Sequence, residues 1–421
     1  MRVLVVGSGA REHAILWKLA QSPRNPGLFA APGNAGTAAI ATNLPIAATD
    51  LEALVAAVHD HGVDLTIVGP ELPLTIGIVD RFQQERLRIF GPTKAAARIE
   101  GSKSFARHIM RDAGAPTPGF EVFDDASAAR QYMRSQGAPI VIKADGLASG
   151  KGVVVAQSVA EALEAVADAM ENRAFGASGE RVVIEQCLVG QELSVFCFTD
   201  GEYVTPLVPA CDYKRVFDGD QGPNTGGMGG YSPPPWWDAA MERQIRETCI
   251  EPVIREMARQ GSPFTGVLYG GLMLTDDGPF IIEFNARLGD PETQLILPRM
   301  ENDLLDVVEA SLDGSLPSVG LRWSSACAAG VVLAPGGYPG PHETGKRIEG
   351  LAEAERDALV FHAGTAVTDS GTLVTSGGRT LKVVGLGATM AEARTRAYTA
   401  ADTITFEGKH YRTDIASFPA E

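Results

Sequence analysis

The sequence predicts a multidomain α/β and α+β protein. Three observations predict it: a chain of 421 residues, regular strand–helix alternation over the first hundred, and changes of pattern near Glu100 and Ser324. That length exceeds one ordinary core. Strands alternating with helices through short turns give a parallel sheet covered on both faces. The expected division is 1–101, 102–323 and 324–421.

The first unit opens with Arg2–Val6, a short apolar β-rich run, then a Gly7–Gly9 turn and an amphipathic helix near Arg11–Gln21. Leu28–Ala30 is a second strand. Thr49-Asp50-Leu51-Glu52 reads as a capping box opening a helix that Gly62 closes. Leu65–Val68 and Leu87–Phe90 are further strands, each followed by Gly-Pro. In the second unit Gly101-Ser102-Lys103 begins a helix, and Ala113–Pro118 is a linker. A compact α+β segment follows, about 120–188: strand Phe120–Phe123, a helix to about Gln136, strand Ile140–Lys143, a glycine loop, strand Val153–Val155, a helix capped by Ser158, and strand Val182–Glu185. Beyond Gln191, strands alternate with long loops, and Gln221–Pro235 reads as a Gly/Pro-rich loop. Phe280–Asn285 is a strand and Asn302–Ser311 a helix. The last unit has strands around Ala326–Ala334, Ala358–His362 and Thr380–Gly385, and a helix capped by Thr389.

Composition excludes several classes. Hydrophobic residues at 45% and charged residues at 21% belong to a globular chain rather than a disordered one. The net charge of -16 disfavours general nucleic-acid binding, which relies on a cationic surface. Five cysteines (187, 197, 211, 249 and 327) without C-x-x-C spacing read as reduced structural thiols. No apolar run is long enough to span a bilayer, so a cytoplasmic protein with no membrane partner is expected. A monomer is expected.

Three stretches carry chemistry. Gly7-Ser8-Gly9-Ala10-Arg11-Glu12 sits where a dinucleotide fingerprint would, but Glu12 stands at the third glycine position and the ribose-binding acid is absent. That contradicts an NAD-dependent dehydrogenase. Two readings of the turn stand: a one-phosphate site at a helix N-terminus, or a structural turn.

Lys143–Val155 holds two lysines around a glycine-rich turn, with Gly150, Lys151 and Gly152 at its end. A P-loop needs Ser or Thr and then a helix after the glycine–lysine pair, and here Gly152 and a β-rich run follow. Two strands joined by such a turn form a lid whose N–H groups can fold over a polyphosphate. Lys143 adds a fixed charge at its strand end. Val182–Leu188, with Glu192 beyond, offers open backbone groups for an adenine and a carboxylate for a ribose; any strand followed by a turn offers the same.

Phe280-Ile281-Ile282-Glu283-Phe284-Asn285-Ala286-Arg287 breaks the pattern of a buried strand. Period-two alternation puts Ile281, Glu283 and Asn285 on one face. A carboxylate and an amide there need a partner, and Mg²⁺ held by one or two such groups and nucleotide phosphates supplies it. Arg287 could then neutralise charge on a transferring phosphoryl group; a plain Glu283–Arg287 salt bridge is the alternative.

Taken together, these stretches resemble the phosphoribosylamine–glycine ligase (glycinamide ribonucleotide synthetase) family of ATP-grasp enzymes. Matching segments run in order along nearly the whole chain, and Gly222–Gly229 and Glu283–Thr293 are the most specific. The resemblance implies an N-terminal pre-ATP-grasp domain, an ATP-grasp domain with a small lid, and a small C-terminal α+β domain. It implies ATP and Mg²⁺ (or Mn²⁺), with Lys103 and Lys143 on phosphates, Glu185 and Leu188 at the adenine, Glu192 at the ribose, and Glu283 and Asn285 on the metal. Gly9, Arg11, Glu12, His13, Asn34 and Glu71 fall where 5-phosphoribosylamine is expected, and Asp212, Lys214, Arg287 and Asp290 join the substrate set. Ala286 replaces a cysteine often found in the family, and Cys211-Asp212-Tyr213 departs from its usual run. The implied activity joins glycine to phosphoribosylamine through glycyl phosphate, with Lys143 and Arg287 at the transfer. A different carboxylate–amine ligase or purine-pathway carboxylase, and a nucleotide-binding regulator without turnover, are the rival readings.

Overall fold

The structure, a computed structural model, describes residues 1–148 and 152–418. Its first sheet is built from β1 (Arg2–Gly7), β2 (Gly27–Pro32), β3 (Thr42–Asn43), β4 (Leu65–Val68) and β5 (Ile89–Phe90), in the order β3-β2-β1-β4-β5 and all parallel. Val3–Val6 are fully buried, because helices cover both faces. The strands' C-terminal ends therefore open along one edge, where ligands of parallel sheets gather. Helix α1 (Ala10–Leu19) follows directly. Helix α2 (Leu51–His61) starts one residue later than the capping-box reading: Asp50, not Thr49, is the cap, accepting from the Ala53 N–H at 3.1 Å. A carboxylate outcompetes the neighbouring hydroxyl for the free amide. Helices α3 (Glu71–Ile76) and α4 (Ile78–Gln84) follow.

Helix α5 (Lys94–Gly101) was not anticipated, although Ala95, Ala96 and Ala97 are strong helix formers. It runs almost directly into α6 (Lys103–Asp112). Ser102 between them is extended (φ -144°), so it ends one helix and caps the next through the Phe105 N–H, 3.2 Å away.

The lid is an antiparallel sheet of β6 (Phe120–Phe123), β7 (Ile140–Ala144), β8 (Val153–Ala156) and β9 (Val182–Gln186), ordered β6-β9-β7-β8. It has its own small core, with Ala129, Met133, Ile142, Val166 and Ile184 fully or nearly fully buried. The predicted phosphate-loop residues Gly150 and Lys151 lie outside the described residues.

The largest sheet holds β10 (Gln191–Asp200) and β11 (Val208–Asp212), then, beyond a small ribbon of β12 (Arg215–Phe217) and β13 (Gln221–Asn224), β14 (Gly229–Ser232), β15 (Thr265–Thr275), β16 (Gly278–Asn285) and β17 (Cys327–Pro335). After β18 (Leu359–His362) and the hairpin β19 (Thr365–Val367) and β20 (Leu373–Thr375), β21 (Leu381–Gly387) completes it, with β22 (Lys409–His410) on β17. The path β16-β15-β10-β11-β14-β17-β21-β18 makes one continuous surface. The expected Gly/Pro loop at 221–235 therefore contains two strands, and β14 joins the middle of the chain to its last hundred residues. Gly229 permits this: at φ +150° it lies against the Gly330 carbonyl, where a side chain would overlap. Leu87 and Arg88 fall short of β5, and the helix expected at Asn302–Ser311 spans Leu304–Asp313, capped by Asp303.

The alternation expected along β16 is broken. Gly271 pairs with Glu283 but Leu272 with Ile281, so Ile282 is an extra residue in a bulge. Ile281 and Phe284 both turn into one core, while Glu283 is exposed and Asn285 half-buried.

Candidate functional site

Three parts converge: the inner edge of the lid, the bulged end of β16, and the C-terminal edge of the N-terminal sheet. Lys143, on β7, is buried and meets the Glu185 carboxylate of neighbouring β9 at 2.9 Å. The bulge turns the Ile282 carbonyl toward the lid, where it accepts from Lys143 Nζ at 3.0 Å and from Arg107 of α6 at 2.6 Å. Arg107 also grips Glu185 by two bonds of 2.6 Å each. Despite the burial that would raise it, Lys143 and Arg107 hold Glu185 below the usual carboxylate range. Its side chain is thus committed to fixing Lys143. Burial pulls Lys143 and Lys103 down, against the pull of Glu185 on the first and of Glu283 and Asp145 on the second.

Lys103 opens α6 and donates to the Gly146 carbonyl at 2.9 Å, at the start of the glycine loop. Asp145 fastens that loop to the helix start: it accepts from the Ser104 N–H (2.6 Å) and hydroxyl (2.9 Å) and from the Ser102 hydroxyl (3.1 Å). Glu192 pairs with Lys214 in the open part of the cleft, and Leu188 lies half-buried on the connection between β9 and β10.

At the end of β16, Glu283 is exposed and takes no hydrogen bond from the described residues. Burial of its surroundings pushes its pKa up, but Lys214, Lys143, Lys103 and Arg287 hold it below the normal value. Beside it, Asn285 Oδ1 receives a 3.3 Å approach from Arg287. An open carboxylate next to a lightly held amide oxygen suits a hard cation that keeps phosphate and water ligands. Among the described residues there is no group of three or more His, Cys, Asp or Glu side chains that could hold a metal alone. Arg287 does not pair with Glu283. Its Nε meets Glu71 of α3 at 3.1 Å and its Nη2 meets Glu100 of α5 at 2.7 Å. These two carboxylates raise its pKa against the effect of burial.

The N-terminal turn is closed on itself. Glu12 accepts from the Gly9 N–H (2.6 Å) and from Arg11 Nε (2.5 Å), and its stem fills space left by Gly7 and Gly69. The free helix amide that could receive a phosphate is thus capped internally, which favours the structural turn. Arg11 also reaches the Leu288 carbonyl at 3.3 Å, bringing the turn against the loop that carries Asp290. His13 and Asn34 grip a strand edge: the His362 N–H donates to His13 Nδ1 at 2.9 Å, and Asn34 Nδ2 donates to the His362 carbonyl at 2.8 Å. Asn34 Nδ2 also reaches the Ser8 carbonyl, and its Oδ1 accepts from the Gly36 and Thr37 N–H groups. Burial lowers His13 to about 3, with His362 adding to the effect, and lowers His362 to about 4.

Asp290 faces the last hundred residues. Arg379 meets its carboxylate at 3.2 Å and its carbonyl at 3.0 Å, and Lys382, buried on β21, donates to the Pro291 carbonyl. Arg379, Arg11 and Lys382 keep Asp290 low against burial. Asp212 is pushed by burial up to about 7, with Lys214 opposing. The glycine run packs here too, Gly226 against the Arg379 guanidinium and Gly227 against Pro291.

The structure thus brings Lys103, Lys143, Glu283, Asn285, Arg287, Lys214 and Asp212 toward one cleft, with Gly9, Arg11, Glu71 and Asp290 along its far wall. Sequence reading missed Glu100, Arg107, Asp145 and Lys382, all charged residues in or beside helices and strands. Arg107 alone left a trace, four residues after Lys103 and so on the same helix face.

The chain matches three family models in order: phosphoribosylglycinamide synthetase N domain over residues 1–100, its ATP-grasp (A) domain over 101–293, and its C domain over 328–418. It is 50% identical over 417 residues to a phosphoribosylamine–glycine ligase of Halalkalibacterium halodurans, covering 99% of this chain and 97% of that protein. It is 48% identical over 419 residues to the protein of that name from Salmonella typhi, covering 99% and 98%. The crystal structure of phosphoribosylamine–glycine ligase from Thermotoga maritima superposes with a TM-score of 0.87 at 37% identity, over 99% of this chain and 100% of that one. The biotin carboxylase domain of 2-oxoglutarate carboxylase from Hydrogenobacter thermophilus shares the fold, with a TM-score of 0.72 at 14% identity over 97% and 91%.

Proposed function

Because the chain belongs to the phosphoribosylglycinamide synthetase family, we propose that its cleft makes glycyl phosphate from glycine and ATP and passes the glycyl group to phosphoribosylamine. The chain is an ATP-using phosphoribosylamine–glycine ligase of purine biosynthesis. The observation that carries the route is the open Glu283 carboxylate beside Asn285, ringed by Lys103, Lys143, Lys214 and Arg287. In the first step a glycine carboxylate oxygen attacks the γ-phosphorus, and the bond to the bridging β–γ oxygen breaks to release ADP. The amine of phosphoribosylamine then attacks the acyl carbon; the C–O bond breaks, phosphate leaves, and the amine gives up a proton.

The residues supply position and charge rather than a nucleophile. Lys143, fixed by Glu185, and Lys103 face the phosphates. Leu188, the backbone near Glu185, and Glu192 serve the adenosine, and the lid excludes water from the acyl phosphate. Glu283 and Asn285 would hold Mg²⁺ or Mn²⁺, which supplies charge neutralisation on the polyphosphate. Arg287 neutralises the phosphoryl group in transfer. Asp212, Lys214 and Asp290 offer opposite charges to a zwitterionic amino acid and an amine. Gly9, Arg11 and Glu71 form the phosphoribosylamine wall, while Glu12, His13 and Asn34 shape it from behind. The division 1–101, 102–323 and 324–421 and a cytoplasmic location belong to the same reading; all five cysteines are free, as a reducing compartment requires. No helix among the described residues is long and apolar enough to cross a membrane.

The test is ADP release from MgATP, glycine and freshly generated phosphoribosylamine, with each omitted in turn. Release should require glycine. Release independent of glycine would remove the glycyl phosphate route.

A further inference from the structure

Arg287 has one partner outside every motif of the sequence. Glu100, at the end of α5, is buried and divides its two oxygens between neighbours in the cleft. Oε1 takes Arg287 Nη2 at 2.7 Å, and Oε2 takes the Ala286 N–H at 2.7 Å. The second bond is to the peptide directly after Asn285, where β16 ends and its ladder no longer supplies an acceptor. One carboxylate thus fixes both the guanidinium and the backbone that presents Asn285. The guanidinium's other partners are weaker or more open: Glu71 at 3.1 Å is half-exposed, and Asn285 and the Leu288 carbonyl are each at 3.3 Å.

We propose that Glu100 is a positioning residue for phosphoryl transfer, holding the Arg287 guanidinium in place without touching substrate. This rests on the reading of Arg287 given above. A side chain that orients a group touching the reacting atoms changes the transfer step, whereas one that only stabilises the fold changes the amount of active protein. Glu100→Ala removes both acceptors and should lower kcat on the order of 10- to 100-fold. Glu100→Gln keeps the shape and one carbonyl acceptor and should lose less. In both, the KM for ATP should stay within about two-fold of its starting value, because Lys103, Lys143 and the lid are untouched.

The deciding experiment is a double-mutant cycle with Arg287→Lys, measured as single-turnover ADP formation, with thermal melts of all variants. If Glu100 acts through Arg287, Arg287→Lys combined with Glu100→Ala should be little slower than Arg287→Lys alone. Losses that multiply, or a kcat loss in Glu100→Gln and Glu100→Ala that tracks the folded fraction, would overturn the proposal. Loss in Arg287→Lys with full activity in both Glu100 variants would overturn it alone. Full activity in Arg287→Lys would remove the reading of Arg287, and this inference with it.

Discussion

The two ends of the cleft use charged residues in opposite ways. At the lid and metal-strand end, charges are left facing the opening: Glu283 takes no hydrogen bond from the described residues, and four cations bear on it. At the N-terminal end the side chains satisfy one another: Glu12 caps its own helix and holds Arg11, while Asn34 and His13 hold both polar groups of the His362 peptide. A buried polar group with its partners made contributes architecture; one left open toward a cleft is poised for a ligand. Motif residues of equal prominence in sequence therefore divide into a set whose side chains stay open and a set whose side chains are paired.

Substitutions sharpen that contrast. Glu283→Ala should cost the most activity, on the order of a thousand-fold in kcat, with the melting temperature unchanged; substantial turnover in that variant would reassign the metal strand. Lys143→Met should lower kcat on the order of a hundred-fold, and it also removes one of the two ion pairs Glu185 makes among the described residues, so some stability should be lost. Asn34→Ala should behave differently. It strips several hydrogen bonds from half-buried backbone groups and should cost about 1–3 kcal/mol of stability, read by urea unfolding, with the kcat of the folded fraction within a few-fold. A large kcat loss without a stability loss would make Asn34 a direct ligand.

A pH dependence follows at the same end of the cleft. His13 is lowered from 6.5 to about 3 in the fold, so the unfolded chain binds the proton more readily. The stability tied to the neutral ring is present above pH 6.5 and is lost as pH falls from there toward 3. His362, lowered to about 4, adds to the same slope. Unfolding midpoints at pH 7 and pH 5 should differ, and His13→Asn, which keeps an acceptor for the His362 N–H, should reduce the difference. An equal difference in the variant would clear His13 of the effect.

Much of this molecule was legible in its sequence, for reasons that name themselves residue by residue. Strands β1, β4 and β7 are dense apolar runs bounded by glycine or proline, and helices capped by Ser158 and Thr389 announce themselves. What escaped was long-range. The bulge at Ile282 depends on register against Gly271 and Leu272, which no local alternation reports. Strand β14 hides in a glycine run because its partners are Cys211 and Asp212 upstream and Ala328–Val331 far downstream. Glu100 and Asp145 look like surface acids until α5, α6 and the lid are brought together, and the Arg107–Glu185 pair joins residues 78 apart in the chain.

The central claim is that the open Glu283–Arg287 end transfers the γ-phosphoryl group to the carboxylate of glycine. It is tested most directly with glycine labelled with ¹⁸O in both carboxylate oxygens, by mass analysis of the phosphate released on product formation. Transfer through glycyl phosphate predicts one ¹⁸O in each phosphate, since the oxygen that attacked phosphorus leaves with it. Phosphate free of label, with product still formed, would contradict the account.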